Sequence, residues 1–68
     1  MIKINRLKEV FEELKVYNRT IADELNKSEA TISRWVNNHR QPSLDDLYKI
    51  AKFLKTDIRT LLYPTKWK

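Results

Sequence analysis

Apolar residues recur every three or four positions along most of the chain, which is the spacing of a helix with one buried face. The first repeat predicts a helix from about residue 3 to residue 15, and a shorter second helix begins at Asn18. A third repeat runs from residue 29 to about residue 37, a fourth follows Ser43, and a last short one follows Asp57. The five apolar faces form the predicted core, which comprises Ile4, Leu7, Val10, Phe11, Leu14, Ile21, Ala22, Leu25, Ile32, Trp35, Val36, Leu44, Leu47, Ile50, Ala51, Leu54, Ile58, Leu61 and Leu62.

Residues that suit helix ends separate these repeats. Ser28, Ser43 and Asp57 each precede a repeat and can cap a helix, because their side-chain oxygens accept bonds from free backbone N–H groups. Asn26 ends the second repeat, and asparagine tolerates the left-handed conformation of a turn. Only this short turn separates the second and third helices, so the pair fits a helix-turn-helix.

The composition agrees with an all-helical fold and excludes several classes of site. The 68-residue chain has no glycine, which excludes the glycine-rich phosphate loops of P-loop and dinucleotide-binding enzymes. With no cysteine and a single histidine, His39, it lacks the residues for a disulfide or a protein-built zinc site. A core of this size supplies about 3–5 kcal/mol, so self-association is an open route to further stability. The lack of cysteine and of a long apolar run at the start favours a soluble, cytoplasmic protein.

Acidic pairs on the helices do not predict an enzyme. The pairs at positions 12–13, 23–24 and 45–46 are sequence neighbours, which diverge by about 100° around a helix and do not converge on a reacting atom. The sequence places no activating partner beside a serine or lysine nucleophile. We therefore expect no catalytic activity, no cofactor and no small-molecule ligand.

Two stretches of the chain contain no acidic residue: residues 30–44 and residues 58–68. The net charge is +5, which suits a polyanionic partner but also arises in helical domains for solubility alone. Between Glu29 and Asp45 there is no acidic residue, whereas Arg34, His39 and Arg40 lie in this interval. A membrane surface is a poor alternative partner, because the apolar stripes are needed for the core.

One face of the third helix carries mostly short polar side chains with longer ones at its edges: Glu29, Ala30, Ser33 and Arg34. In a helix-turn-helix the second helix enters the DNA major groove and reads base edges. Arg34 can donate two bonds to guanine, and Glu29 can accept one from cytosine. Ala30 can contact a thymine methyl, and Ser33 can bond either edge. Glu29 has an equally good second interpretation, since a carboxylate stabilises the positive end of a helix.

Polar residues around this face are expected to contact phosphate groups and fix the register on DNA. They lie at the starts of the second and third helices and in the loop after the third: Asn18, Ser28, Thr31, Asn37, His39, Arg40 and Gln41. Trp35 shares the face of Ile32 and is expected in the core rather than as a stacking platform.

These segments resemble a known family. Residues 18–25 (NRTIADEL) and 28–35 (SEATISRW) look like the helix-turn-helix of phage repressors and Cro proteins, the Cro/C1-type family. Residues 37–44 (NNHRQPSL) are similar to the family's loop of asparagine, basic residues and Pro-Ser-Leu. The resemblance covers about residues 4 to 63, although the family's glycines after helices two, three and four are here Asn26, Asn38 and Lys55.

The resemblance implies an all-α, five-helix, lambda-repressor-like DNA-binding domain over residues 1–63, followed by a short tail at 64–68. It implies a transcriptional regulator that binds a palindromic operator in double-stranded DNA as a homodimer, and of the two regulatory roles it favours repression. By position, Glu29, Ala30, Ser33 and Arg34 match base-reading residues, and Asn18 and residues 37–41 match backbone contacts. The family often pairs through its last helix, so the expected dimer surface is Leu61, Leu62, Tyr63 and Trp67.

A second function class stays open, because a fold does not determine a function. The same domain could be a protein-interaction module, such as a toxin–antitoxin partner or an anti-repressor adaptor. Salt-dependent binding to duplex DNA distinguishes the two classes.

Overall fold

The computed structural model describes residues 2–67, so the first and last residues of the expected domain and tail lie outside the described part. Four α-helices are present: α1 (Leu7–Leu14), α2 (Asn18–Leu25), α3 (Glu29–Val36) and α4 (Leu44–Leu54). The fifth element, Ile58–Leu61, is one turn of 3₁₀-helix rather than an α-helix. The all-helical prediction is confirmed, with this change to the last element.

None of the helices within residues 2–67 has both the length and the hydropathy needed to cross a membrane.

The chain before α1 is extended, where the apolar repeat predicted helix from about residue 3. Residues 4–6 run antiparallel to residues 61–63, with backbone hydrogen bonds of 2.8 and 3.0 Å on either side of the bridged pair Asn5 and Leu62. We call these two segments the terminal ribbon. The Asn5 side chain accepts a bond of 3.0 Å from the Leu7 N–H, a local alternative to helix that asparagine favours. The helix therefore begins at Leu7, and Ile4 lies outside the core.

The core contains most of the predicted apolar residues and draws on all five elements. Leu54, Ile58 and Leu62 are only half-buried at its margin. Leu14 and Leu44 are exposed, contrary to the prediction, because each is the terminal residue of a helix and extends beyond the packed region. The side chains that the core buries are Leu7, Val10, Phe11, Ile21, Ala22, Leu25, Ile32, Trp35, Val36, Leu47, Ile50, Ala51 and Leu61.

Each α-helix within residues 2–67 is closed by a left-handed residue that is not glycine, which is the C-cap in α1, α2 and α4 and the residue after the C-cap Asn37 in α3. These residues are Lys15, Asn26, Asn38 and Lys55, with φ between 55° and 58°. The N–H after each one bonds a carbonyl five residues earlier at 2.9–3.0 Å, which is the Schellman pattern. The left-handed conformation costs a residue with a Cβ about 1–2 kcal/mol, and less for asparagine. The two lysines therefore hold conformational strain that glycine would relieve.

Replacing Lys55 by glycine is expected to stabilise the protein. Relief of the left-handed strain exceeds the extra unfolded-state entropy of glycine, which leaves a gain of about 0.5–1 kcal/mol. In a domain of this size that gain raises the Tm by about 2–8 °C, measured by circular dichroism. The matched control is Lys49→Gly, an exposed lysine inside α4, which should lower the Tm because glycine weakens a helix interior. An unchanged or lower Tm for Lys55→Gly contradicts the expectation.

The predicted caps are also present. The side chains of Ser28, Ser43 and Asp57 accept bonds from Thr31, Asp46 and Arg59 backbone N–H groups, respectively. Asp57 additionally accepts bonds from the Arg59 guanidinium, the shortest being 2.7 Å from Nη2 to Oδ2. The side-chain bonds from Arg59, helped by its backbone N–H, lower the pKa of Asp57 to about 2.

Acid is expected to remove the stabilisation that Asp57 provides. Its pKa is lower in the folded chain than in the unfolded chain, so the contribution is complete above about pH 4 and disappears as the pH falls towards 2. We expect the free energy of unfolding, measured in urea, to fall more steeply over this interval for the native protein than for Asp57→Asn. Asp23→Asn, an exposed residue of α2, serves as control. Parallel pH profiles for the native protein and Asp57→Asn would rule out this role.

Candidate functional site

Helices α2 and α3 form the centre of the candidate site. Residues 26–28 join them, and this turn begins with the left-handed Asn26. Ser28 then fixes the start of α3, because its Oγ accepts a bond of 3.1 Å from the Thr31 N–H and lies 2.9 Å from the Thr31 hydroxyl. The buried faces of the two helices pack closely against each other. The short capped turn therefore holds α3 rigidly across α2.

The side of α3 that faces away from α2 is accessible. Glu29, Ala30 and Arg34 are exposed and Ser33 is half-buried. Trp35 is buried with the apolar face of the helix, as its spacing predicted. The four candidate base-reading residues thus share one accessible face, with short side chains between a carboxylate and a guanidinium.

Neither charged group on this face forms an ion pair with another residue of the described part of the chain. Within residues 2–67 the ion pairs shorter than 4.0 Å are Arg6 with Glu9 and Arg59 with Asp57. Glu29 is therefore not neutralised by Arg34 or by Lys27 in the described part of the chain. The Arg34 guanidinium keeps its full set of donors for an external ligand.

Open clefts flank the accessible face of α3 on two sides. One, of about 540 Å³, lies between α1, the start of α2 and α3, and its polar lining includes Lys8, Glu12, Asn18, Arg19, Glu29 and Asn37. The other, of about 610 Å³, lies between α3 and the start of α4 and is lined by Thr31, Arg34, Trp35, Arg40, Gln41, Ser43 and Asp46. Basic and amide groups therefore lie on both sides of α3, together with one carboxylate from a neighbouring helix on each side, Glu12 and Asp46.

Comparison with known proteins identifies this arrangement. The family model described as "Helix-turn-helix" matches residues 7–61, from the start of α1 to the end of the 3₁₀ turn. The chain belongs to the helix-turn-helix family. Its structure also superimposes on the crystal structure of a Bacteroides fragilis protein described provisionally as DNA-binding, with a TM-score of 0.87 and 47% sequence identity. The alignment covers 91% of this chain and 100% of that protein. A search of curated proteins gives no significant match.

The resemblance to Cro/C1-type proteins is thereby confirmed, and α2 and α3 are the helix-turn-helix of this chain. The sequence correctly predicted the accessible face of α3, but it did not indicate two basic residues that lie next to this face. Lys8 and Arg19 line the same cleft as Glu29. Arg19 adjoins Asn18 in sequence, which is a usable signal. Lys8 comes near only because α1 packs against α3, which no local pattern reveals.

The expected phosphate-contacting residues differ in how free their side chains are. His39 and Arg40 are exposed in the loop that follows the helix-turn-helix. The Asn37 amide donates a bond of 2.9 Å to the Ser33 carbonyl, which closes the end of α3. Gln41 is exposed and lines the cleft between α3 and α4. Its Oε1 accepts a bond of 2.7 Å from Asn5 and its Nε2 donates one of 3.1 Å to Asn38, so its side chain is held in place by both ends.

The expected dimer surface also needs revision. Leu61 is 0% exposed inside the core of its own domain, so its side chain has no surface to offer a second copy. Tyr63 is half-buried, and its hydroxyl donates a bond of 2.6 Å to Glu9 on α1. That bond is the largest cause of the lowered pKa of Glu9. Leu62 is half-buried, and Trp67 is 87% exposed. Of the four residues, Leu61 is excluded from such a surface.

Proposed function

We propose that this protein is a sequence-specific regulator that binds double-stranded DNA and inserts α3 into the major groove. The observation that carries the proposal is the accessible face of α3, where an arginine and a glutamate that form no ion pair within residues 2–67 border short side chains. The helix-turn-helix family and the description of the Bacteroides fragilis protein support the same partner.

In this proposal four side chains of α3 read bases. Arg34 donates two bonds to O6 and N7 of guanine, and Glu29 accepts a bond from N4 of cytosine. Ala30 contacts a thymine methyl, and Ser33 bonds whichever base edge lies opposite it. The lack of an ion pair for Glu29 within residues 2–67 favours this role, because a carboxylate near phosphates needs a compensating donor.

Phosphate contacts surround the reading face and supply most of the affinity. We assign them to Asn18, Ser28, Thr31, Asn37, His39, Arg40 and Gln41, and we add Lys8 and Arg19 because they line the cleft beside Glu29. Serine, threonine and asparagine fix the register, whereas the basic residues release counterions from the DNA.

We further propose that two copies bind a palindromic operator and repress transcription. Dimeric helix-turn-helix proteins place their half-sites about 34–36 Å apart, or one turn of DNA. The domain comprises residues 1–63, with residues 64–68 as a tail. Leu62, Tyr63 and Trp67 remain the candidate contacts between copies, since a small core benefits from the additional burial.

Binding of duplex DNA at several salt concentrations tests the proposed partner. With about 6–10 phosphate contacts in total, affinity should fall by about 10³–10⁵ between 50 and 200 mM salt. The substitutions Lys8→Ala and Arg19→Ala should each lower the slope of log affinity against log salt by about 1. No retention of duplex DNA at 50 mM salt would overturn the proposal and favour a protein-interaction module.

A further inference from the structure

One buried asparagine joins the loop after α3 to the start of the chain. Asn38 is 8% exposed and has a φ of 58°. Its Oδ1 accepts bonds from the backbone N–H groups of Ile4 at 2.9 Å and Asn5 at 3.0 Å. The same oxygen accepts a bond of 3.1 Å from the Gln41 amide. Its Nδ2 donates a bond of 3.1 Å to the Asn5 carbonyl. One side chain thus makes contacts across more than 30 residues of sequence.

Asn5 completes this network from the other side. Its Nδ2 donates to the Trp35 carbonyl at 2.8 Å and to the Gln41 Oε1 at 2.7 Å. Within residues 2–67 the one buried side-chain polar atom without a partner is Thr56 Oγ1, so the network itself is fully satisfied. A satisfied buried polar network is rigid and specifies one arrangement, because any alternative leaves buried groups unpaired.

Two kinds of contact hold the loop. Backbone bonds from the His39 and Arg40 N–H groups to the Arg34 carbonyl, at 2.9 and 3.3 Å, tie it to the end of α3, and Pro42 after it is buried. The side chains of His39 and Arg40 are exposed and take no part in the network. The Asn38 side chain adds the connection between this loop and the terminal ribbon.

We infer that Asn38 is a positioning residue, whose side chain anchors residues 38–41 to the terminal ribbon and so sets His39 and Arg40 beside α3 for phosphate contact. The inference rests on the proposed function. A left-handed turn alone does not require this side chain, because glycine adopts the same φ without strain. The four bonds are what glycine would lack.

The chain provides a matched control for the backbone conformation. Asn26 ends α2 with a φ of 56°, almost the same as Asn38, but it is exposed and makes no side-chain hydrogen bond within residues 2–67. Substitution of each asparagine by glycine therefore relieves the same backbone strain, while only Asn38→Gly removes the anchor.

The test compares the native protein, Asn38→Gly and Asn26→Gly by amide hydrogen exchange and by duplex binding over a range of salt concentrations. In Asn38→Gly we expect the Ile4 and Asn5 amides to exchange at least about tenfold faster, since they lose their acceptor. We expect the affinity for duplex DNA to fall by about tenfold, and by the same factor for every DNA sequence, which is the loss expected for one hydrogen bond to a charged phosphate. The slope of log affinity against log salt should be lower by about 1. Asn26→Gly should match the native protein in each measurement.

If Asn38→Gly keeps the amide exchange rates, DNA affinity and salt slope of the native protein, the inference is overturned, because Asn38 would then serve only to form the turn. Should Asn38→Gly fail to fold, amide exchange of the native protein supplies a second test. The Ile4 and Asn5 amides should be protected by their bonds to Asn38 Oδ1, and exchange at the rate of a freely exposed amide would overturn the anchor. Absence of duplex binding by the native protein would instead overturn the proposed function. The two failures are therefore distinguishable.

Discussion

Replacing Ile32 by alanine is expected to leave much of the protein unfolded at 25 °C. Ile32 is 0% exposed and packs at the centre of the core on the inner face of α3. Truncation of a buried isoleucine to alanine costs about 2–5 kcal/mol, because apolar contacts are lost and a cavity remains. A core of this size supplies only about 3–5 kcal/mol in total. One substitution thus removes most of the stability.

Urea unfolding followed by circular dichroism measures this effect. The matched control is Leu44→Ala, which truncates an aliphatic side chain that is 73% exposed and should change stability by less than about 0.5 kcal/mol. A loss below about 1 kcal/mol for Ile32→Ala would show that the core can collapse around the cavity, contrary to the tight packing described above.

Replacing Arg34 by alanine is expected to weaken operator binding by about 1–3 kcal/mol, which is about 5–150-fold. Arg34 is exposed and unpaired within residues 2–67, so the change should leave stability within about 0.5 kcal/mol of the native value. The loss should be confined to operators that carry the preferred base at one position, because the guanidinium recognises a guanine edge through two bonds.

Arg40→Ala is the control for this prediction, since Arg40 lies in the loop and is assigned to phosphate. It should weaken all sequences alike and lower the salt slope by about 1. Competition binding with operator variants at a fixed salt concentration separates the two results. Equal losses on every sequence for Arg34→Ala would place Arg34 among the phosphate contacts and contradict its role as a reader.

Features governed by neighbours in sequence were predicted well. The spacing of apolar residues located α2, α3 and α4, and the caps at Ser28 and Ser43 fixed the starts of α3 and α4. The left-handed turn at Asn26 follows from the chemistry of asparagine, so the helix-turn-helix was predictable in outline. The accessible face of α3 followed from the same periodicity.

Features governed by long-range contacts were not predicted. Asn5 stops the helical repeat through its local bond to the Leu7 N–H and through bonds to groups that lie 30 or more residues away, and nothing near it in sequence indicates those distant partners. Leu61 was predicted in the core, where it lies, but it was also assigned to the dimer surface, because a one-turn element has too few residues for periodicity to separate a buried leucine from one at an interface.

Whether α3 reads DNA sequence can be measured by selecting bound duplexes from a random pool at about 150 mM salt, near physiological ionic strength, and sequencing them. We predict an enriched motif with twofold symmetry and half-sites one helical turn, about 34–36 Å, apart. Retention of DNA without any enriched motif, or no retention at all, would contradict this prediction.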